Sequence, residues 1–312
     1  MRSIFGYFKR FYEEEFRWSI ALVLLAFLGL AMFLNYATGW ERRVKSLLGL
    51  YQIAHFLYYF LYYALPYWFA VVLYCVQTGK TELLRNLEFH LVSALVPLTL
   101  ALDSISSMDV VESMFLVGPS LALWFGRSYN NLLQALILLL VPLAYWALRD
   151  RKNEPPYGFR LRGVTLMPYF IMLLILAPGI FAASFGADFM SVYPRYRGVE
   201  AARALGVSPL IPYLSFEFCY GLAFISVEFL FRGFMVLGLK RYLGAGVIWP
   251  MVAVYCWKHF QKPALETFSS IFGGFILGVI AYYSRSIYGG IIAHLGTAWM
   301  MEIFAFWQLS RH

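Results

Sequence analysis

Residues 18–36 read WSIALVLLAFLGLAMFLNY, a run of 19 residues without a charged side chain. At about 1.5 Å per residue an α-helix of this length is about 29 Å long, close to the ~30 Å hydrocarbon core of a bilayer. No small-residue cleavage site follows the run, so we interpret it as a retained helix and not as a signal peptide. The stretch predicts a transmembrane α-helix, and similar runs recur along the chain.

The composition of the whole chain supports the same interpretation. Its 312 residues are 61% hydrophobic and 13% charged, whereas soluble domains carry about 25% charged residues. Such a chain lacks the polar surface that a soluble fold presents to water. The net charge is +8, but the basic residues lie between apolar runs, as in loops that face anionic lipid. We therefore predict a polytopic membrane protein that contacts membrane lipid and binds no nucleic acid.

The apolar runs predict about eight or nine membrane-spanning helices. The run 246–259 is the weak one, because fourteen helical residues rise only about 21 Å. Lipid requires a backbone whose hydrogen bonds are satisfied internally, and runs of this length suit helices and not barrel strands. The predicted fold class is an all-α transmembrane helix bundle with a polar cavity in the C-terminal half. The runs lie at about 18–36, 53–76, 88–102, 131–148, 163–184, 210–238, 246–259, 265–283 and 287–307.

The basic segment 149–162, RDRKNEPPYGFRLR, divides the chain. Its five Lys or Arg and its two Pro are typical of a short cytoplasmic loop. We predict an N-terminal membrane domain of about four spans at residues 1–150 and a second domain at 151–312. Residues 1–17 place Phe5, Phe8 and Tyr12 near helical spacing, which predicts an amphipathic helix at the membrane interface. The stretch 103–130 is too irregular to predict a continuous span.

The second half carries ionisable residues inside its apolar runs. A charge at the bilayer centre costs about 2.5–3.5 kcal/mol, so such side chains are expected to face partners or a wet cavity. Their concentration in one half of the chain favours a functional site over a set of unrelated structural residues. Six of them fall between residues 217 and 294: Glu217, Glu228, Arg232, His259, Glu266 and His294.

Several of these residues also have purely structural explanations. Glu228 and Arg232 are four residues apart and share a helical face, so they are within reach of an ion pair that locks the helix. Glu266 follows Pro263 at the start of a predicted helix, where a carboxylate faces the positive end of the helix dipole. Glu and His side chains also suit zinc, but the H-E-x-x-H spacing is absent. We therefore predict neither a metal nor a cofactor.

In its motifs the sequence resembles the CAAX-protease and bacteriocin-processing (CPBP, or Abi) family of intramembrane proteases. The family pattern runs Glu-Glu-x-x-x-Arg, then Phe-x-x-x-His, then His-x-x-x-Asn or Asp. These motifs stand here as Val227 to Arg232, Tyr255 to His259, and His294 to Ala298. The resemblance extends to a divergent branch with a Lys-Pro-x-x-Glu element like Lys262 to Glu266 and a Tyr-Pro-x-Tyr-Arg element like Tyr193 to Arg197.

The resemblance covers about residues 155–305 and implies an intramembrane endopeptidase that hydrolyses peptide bonds in or near the bilayer with a water activated by Glu and His. It also implies a peptide or membrane-protein substrate and a multi-pass location in a prokaryotic cytoplasmic membrane. The residues that we expect to be catalytic are Glu228, Arg232, His259, Glu266 and His294.

Tyr255 replaces the Phe of the second motif with another aromatic residue, and two further departures from the family pattern matter for the chemistry. The first Glu of the family, which activates water together with the first His, is Val227 here. The Asn that joins the last His in stabilising the oxyanion is Ala298. Valine supplies no base and alanine supplies no donor. An alternative is therefore a catalytically inactive relative that acts as a membrane binding or scaffold protein.

If the protein is active, other groups replace the missing ones. We expect Glu228 or Glu266, held beside His259, to serve as the base, and Arg232 or His294 to stabilise the oxyanion. A carrier or proton relay would also use His and Glu within the membrane. That function is disfavoured, because the sequence has no paired halves with broken helices in matching positions.

Overall fold

A computed structural model of the protein describes residues 2–48, 52–106, 110–151, 155–161 and 166–311. Within these ranges all regular structure is helical, which confirms the predicted all-α class. The first helices are α1 (Arg2–Glu14), α2 (Trp18–Thr38), α3 (Trp40–Leu48), α4 (Gln52–Thr78), α5 (Leu87–Ile105), α6 (Val110–Val117) and α7 (Pro119–Tyr145). The later ones are α8 (Met167–Ala183), α9 (Ala187–Val192), α10 (Val199–Leu205), α11 (Leu210–Glu228), α12 (Lys240–Leu243), α13 (Ile248–Lys258), α14 (Ala264–Ser284) and α15 (Tyr288–Leu309).

Two π-helical segments, Trp146–Asp150 and Phe229–Gly238, continue α7 and α11 directly. With these continuations, seven helices in the described part of the chain are long and apolar enough to cross a membrane, so the chain is a multi-pass membrane protein by the length and composition of its helices. They are α2, α4, α5, α7, α11, α14 and α15. Helices α8 and α13 have 17 and 11 residues. The predicted count of eight or nine spans depends on these two and stays a prediction.

The stretch 103–130 is more helical than its sequence suggests. Helix α7 begins at Pro119 and not near residue 131. Proline suits the first turn of a helix, where its missing N–H is not needed, and Gly118 just before it has a φ of +82°. Polar side chains such as Arg127 and Asn130 interrupt the apolar pattern without ending the helix. Residues 107–109 lie outside the described residues.

The predicted N-terminal helix is present as α1, and it packs against α14. The side chain of Phe11 is buried, and its ring centroid lies 5.3 Å from that of Phe275. Phe5 and Tyr12, two of the aromatic residues that predicted the amphipathic face, are exposed. The helix therefore uses part of its aromatic side for protein packing, and its location at the membrane interface stays a prediction.

The chain forms two compact units that alternate along the sequence. The first unit contains Met1–Ile105, Leu140–Arg162 and Phe229–Ile287, and the second contains Ser106–Leu139, Gly163–Glu228 and Tyr288–His312. The predicted domains at 1–150 and 151–312 are not tested by this division and stay a prediction.

Helix α13 is central to the first unit. Its side chains from Ile248 to Trp257 are all buried, and it packs against α4 and α14. A helix that is apolar all round is surrounded either by protein or by lipid, and burial by protein accounts for the apolar character of the short run 246–259. Facing it, α4 presents a stripe of buried tyrosines at helical spacing: Tyr59, Tyr63, Tyr67 and Tyr74.

The segment 149–162 contributes to the first unit. The Tyr157 hydroxyl donates to the Asp150 carboxylate at 2.6 Å, and Arg241 Nη1 lies 2.7 Å from the same carboxylate. The carbonyl of Gly158 accepts a hydrogen bond from the backbone of Ile287 at 3.1 Å. Residues 152–154 and 162 lie outside the described residues. The described part of this segment, expected to be a simple loop, is thus packed against later helices.

Helix α15 is central to the second unit, where α8 and α11 pack against it. Near its end, the Gln308 amide donates to the Ser184 hydroxyl at 2.9 Å. Elsewhere in this unit the indole N–H of Trp124 on α7 donates to the Ser215 hydroxyl of α11 at 3.0 Å. These polar contacts fix neighbouring helices in a protein whose apolar surfaces have little preference between protein and lipid.

Candidate active site

Glu228 and His294 form a hydrogen-bonded pair in the second unit. Glu228 is the last residue of α11 and is completely buried, and His294 lies in α15. The Nδ1 atom of His294 is 3.0 Å from Oε1 of Glu228. An ionised carboxylate only accepts hydrogen bonds, so with Glu228 in that form Nδ1 carries the hydrogen, and Nε2 of a neutral ring would be the nitrogen that accepts a proton. The Phe224 ring packs edge-on against the imidazole, with centroids 4.6 Å apart.

Gly290 makes room for this pair. It lies one turn before His294 on the same helix, and a Cβ atom added at Gly290 would overlap Oε2 of Glu228. Glycine therefore allows the α15 backbone to approach the carboxylate more closely than any other residue would. The only signal of this role in the sequence is the Gly289-Gly290 pair itself.

Arg232, Tyr255 and His259 form a second group, in the first unit. The Arg232 side chain is completely buried, and its guanidinium carbon lies 4.2 Å from the centroid of the Tyr255 ring. This is a cation–π arrangement, which gains strength away from water. The imidazole of His259 packs 4.6 Å from the same ring, and its Nδ1 donates to the Tyr255 carbonyl at 2.8 Å. As in His294, Nε2 of the neutral ring is then the proton-accepting nitrogen.

Tyr255 thus holds both the arginine and the histidine. Sequence reasoning identified it only as an aromatic replacement within a motif. The segment that carries Arg232 is π-helical from Phe229 onward, and such departures from α-helical geometry are frequent at functional sites. The predicted ion pair between Glu228 and Arg232 stays a prediction.

Glu266 lies in the first turn of α14, after Pro263, as predicted. Its carboxylate is 3.5 Å from the Lys262 ammonium. Its role as a base stays a prediction.

A polar pocket of about 380 Å³ lies beside the turn that follows His259. Residues of α2 and α3 form part of its wall, so it is not built from the second half alone. The predicted polar cavity among the later spans stays a prediction. The pocket is lined by Asn35, Tyr36, Gly39, Glu41, Arg42, Phe260, Gln261 and Lys262.

A buried carboxylate pair in the second unit lies along the same two helices as Glu228 and His294. Glu302 of α15 accepts from the backbone N–H of Arg195 with both oxygens at 3.0 Å. Glu217 of α11 is also buried and within electrostatic range of Glu302. Sequence reasoning singled out Glu217 but missed Glu302. Nearby, burial raises the pKa of Tyr196 to about 12, so its phenol is neutral at physiological pH.

In the part of the chain that the structure describes, no group of three or more His, Cys, Asp or Glu side chains is arranged to hold a metal ion. Residues 209–300 match a family model, Rce1-like, described as type II CAAX prenyl endopeptidase Rce1-like. No curated protein and no solved structure matches the chain. The matched segment begins just before α11, ends within α15, and contains Glu228, Arg232, His259, Glu266 and His294. This match confirms, for residues 209–300, the resemblance to the CAAX-protease (CPBP) family that was inferred from the motifs.

Proposed function

We propose that this protein is an intramembrane endopeptidase that hydrolyses peptide bonds in or near the bilayer. The observation that carries the proposal is the hydrogen bond between Glu228 and His294. A completely buried carboxylate that orients an imidazole is the arrangement by which proteins prepare a histidine for proton transfer. Both residues lie within the segment that matches the protease family model.

In this proposal His294 is the general base. Its Nε2 takes a proton from water, and the Glu228 carboxylate stabilises the imidazolium that forms. The resulting hydroxide adds to the carbonyl carbon of the scissile peptide bond. The proton held by His294 then passes to the leaving amine as the C–N bond breaks. This assignment supplies the base that Val227 cannot supply.

On the basis of the family resemblance, we also assign catalytic roles to Arg232 and His259. Arginine stays protonated under all physiological conditions, and Arg232 is held on the Tyr255 ring. We assign to it the stabilisation of the negative charge on the carbonyl oxygen. His259, with Nδ1 bound to a carbonyl, provides a second proton-accepting nitrogen. Glu266 remains a further candidate for the base beside His259.

The test is a proteolysis assay on purified protein in detergent, with prenylated and unmodified membrane-proximal peptides. Glu228→Gln and His294→Ala are expected to lower kcat by about 10²–10⁴, the contribution typical of general acid–base groups. Glu217→Gln is the matched control, because it changes a buried carboxylate on the same helix. The Glu217→Gln variant should cleave at the wild-type rate. If the Glu228→Gln variant also cleaves at the wild-type rate, the Glu228–His294 pair is not the base.

A second candidate function is supported by Ala298. This residue stands where the family has an Asn, and it is buried against aromatic side chains that include Tyr196, Phe216 and Tyr220. A position packed in this way offers no donor to an oxyanion. It favours a catalytically inactive relative that binds a peptide or a membrane protein. Absence of cleavage from every peptide, together with peptide binding that His294→Ala abolishes, would support this alternative.

The membrane in which the protein resides is also part of the proposal. The family resemblance favours the prokaryotic cytoplasmic membrane. The substrate is then a peptide or membrane protein with its scissile bond in or near that bilayer.

A further inference from the structure

The turn that follows His259 is bound by side chains of α2. The Asn35 amide donates to the carbonyl of Phe260 at 3.0 Å, and the Tyr36 hydroxyl donates to the carbonyl of Lys262 at 2.7 Å. Helix α13 ends at Lys258, and the last carbonyls of a helix and those of the turn beyond it have no partner within the helix. Residues more than two hundred positions earlier in the chain thus satisfy backbone groups of this turn.

Glu41 of α3 completes the network. Its buried carboxylate accepts from the Tyr59 hydroxyl at 2.8 Å and from the side-chain amide of Gln261. The backbone N–H of Glu41 donates to Asn35 Oδ1 at 3.2 Å. The nitrogen of the Asn35 side-chain amide donates a hydrogen bond and its oxygen accepts one, and together these bonds fix the orientation of the amide.

A third connection reaches His259 itself. The Thr267 hydroxyl donates to the carbonyl of His259 at 2.5 Å, and it lies 2.7 Å from the Tyr36 hydroxyl. On its other side, the His259 ring is held through Nδ1 by the Tyr255 carbonyl. The backbone and the ring of this histidine are thus fixed by separate sets of contacts.

We infer that Asn35, Tyr36 and Glu41 are positioning residues for His259, and that this is one task of the N-terminal part of the chain. The inference rests on the proposed function, in which His259 takes part in the reaction. All three side chains, from α2 and α3, bind residues of the turn 259–262 directly. Tyr36 also contacts Thr267, which binds the carbonyl of His259. None of the three lies in the segment that matches the family model. The family motif therefore supplies the histidine, and a separate part of the chain sets its place.

Two mild substitutions test this role. Tyr36→Phe removes one hydroxyl and keeps the ring, and Thr267→Val removes the hydroxyl that binds the His259 carbonyl. Tyr67→Phe is the matched control, because the Tyr67 hydroxyl donates an equally short bond of 2.7 Å to Ser93 in the same unit, away from the turn. Each variant is examined for kcat, KM, the pH profile of kcat, and the ¹⁵N resonances of the five histidines.

Tyr36→Phe and Thr267→Val are expected to lower kcat by about ten- to hundredfold, the loss that follows small misplacement of a catalytic group. KM should stay unchanged, and the His259 resonances and the pH profile should shift. Tyr67→Phe should change none of these. If Tyr36→Phe and Thr267→Val both behave like Tyr67→Phe, the inference is wrong.

The two proposals fail in different ways. If the wild-type protein cleaves no peptide, the proposed function fails, and the histidine resonances still decide whether these residues position His259. If the wild-type protein cleaves and neither variant moves kcat or the His259 resonances, the positioning role alone is refuted.

Discussion

Replacing Gly290 by alanine adds one methyl group where α15 approaches Glu228. The new Cβ would overlap Oε2 of Glu228, and this side chain is completely buried at the end of α11. An extra carbon in a packed interior costs about 1–3 kcal/mol. Alanine returns up to about 1 kcal/mol through its higher helix propensity, and less here because Gly290 lies in the first turn of α15. The expected net loss of stability is therefore between about 0 and 3 kcal/mol.

The effect on activity should be larger than the effect on stability. The overlap displaces the carboxylate that binds His294 at 3.0 Å, and a displacement of about 1 Å can cost about 10²-fold in rate. We expect kcat for peptide cleavage to fall by about that factor while the thermal unfolding midpoint in detergent falls only slightly. The ¹⁵N resonances of His294 should shift, which gives a readout that does not depend on activity.

Gly179→Ala is the matched control. Gly179 lies within α8 of the same unit, and a Cβ added there meets no atom within 4 Å. This variant should keep the wild-type kcat and be at least as stable as the wild type. A Gly290→Ala protein with normal kcat and unchanged His294 resonances would refute the reasoning, because the carboxylate would then have moved without consequence or not at all.

Two further predictions concern the first unit. Lys258→Met removes the cation 2.6 Å from the buried Asp103 carboxylate, and breaking this ion pair should cost up to about 3–5 kcal/mol of stability. Adding Asp103→Leu should restore most of the thermal stability in detergent, and a double variant no more stable than the single one would contradict this. Tyr255→Leu removes the aromatic ring that packs against Arg232, a contact worth about 2 kcal/mol when desolvated, whereas Tyr255→Phe keeps the ring. The leucine variant should therefore lose more thermal stability and more kcat than the phenylalanine variant. Equal losses in the two variants would show that the cation–π contact is not responsible.

The fold class follows from the sequence because lipid leaves few alternatives. A bilayer accepts only elements whose backbone hydrogen bonds are satisfied internally, so apolar runs such as 18–36 and 265–283 predict helices directly. The order of the motifs around Glu228, His259 and His294 also predicted the family whose model matches residues 209–300. These conclusions depend only on local composition and on the spacing of motifs, both of which can be seen in the sequence without knowing how the helices pack.

The sequence was less informative where apolar character has more than one cause. Helix α13 is apolar because the protein surrounds it on all sides, and its composition resembles that of a short span. Helix α7 was predicted too short, because polar side chains such as Arg127 lie in its first half. A hydropathy pattern reports how apolar the surroundings of a helix are, but it does not distinguish lipid from protein.

The amino-acid sequence was enough to predict a helical membrane protein whose second half carries ionisable residues in an order similar to that of the CAAX-protease family. Which of these residues contact one another is set by the tertiary structure. It paired Glu228 with His294, 66 residues later, and Asn35 with the turn after His259, 225 residues later. Helical periodicity tells which residues share a face of one helix. It cannot tell which other helix that face meets, because this choice depends on packing between segments that are distant in the chain.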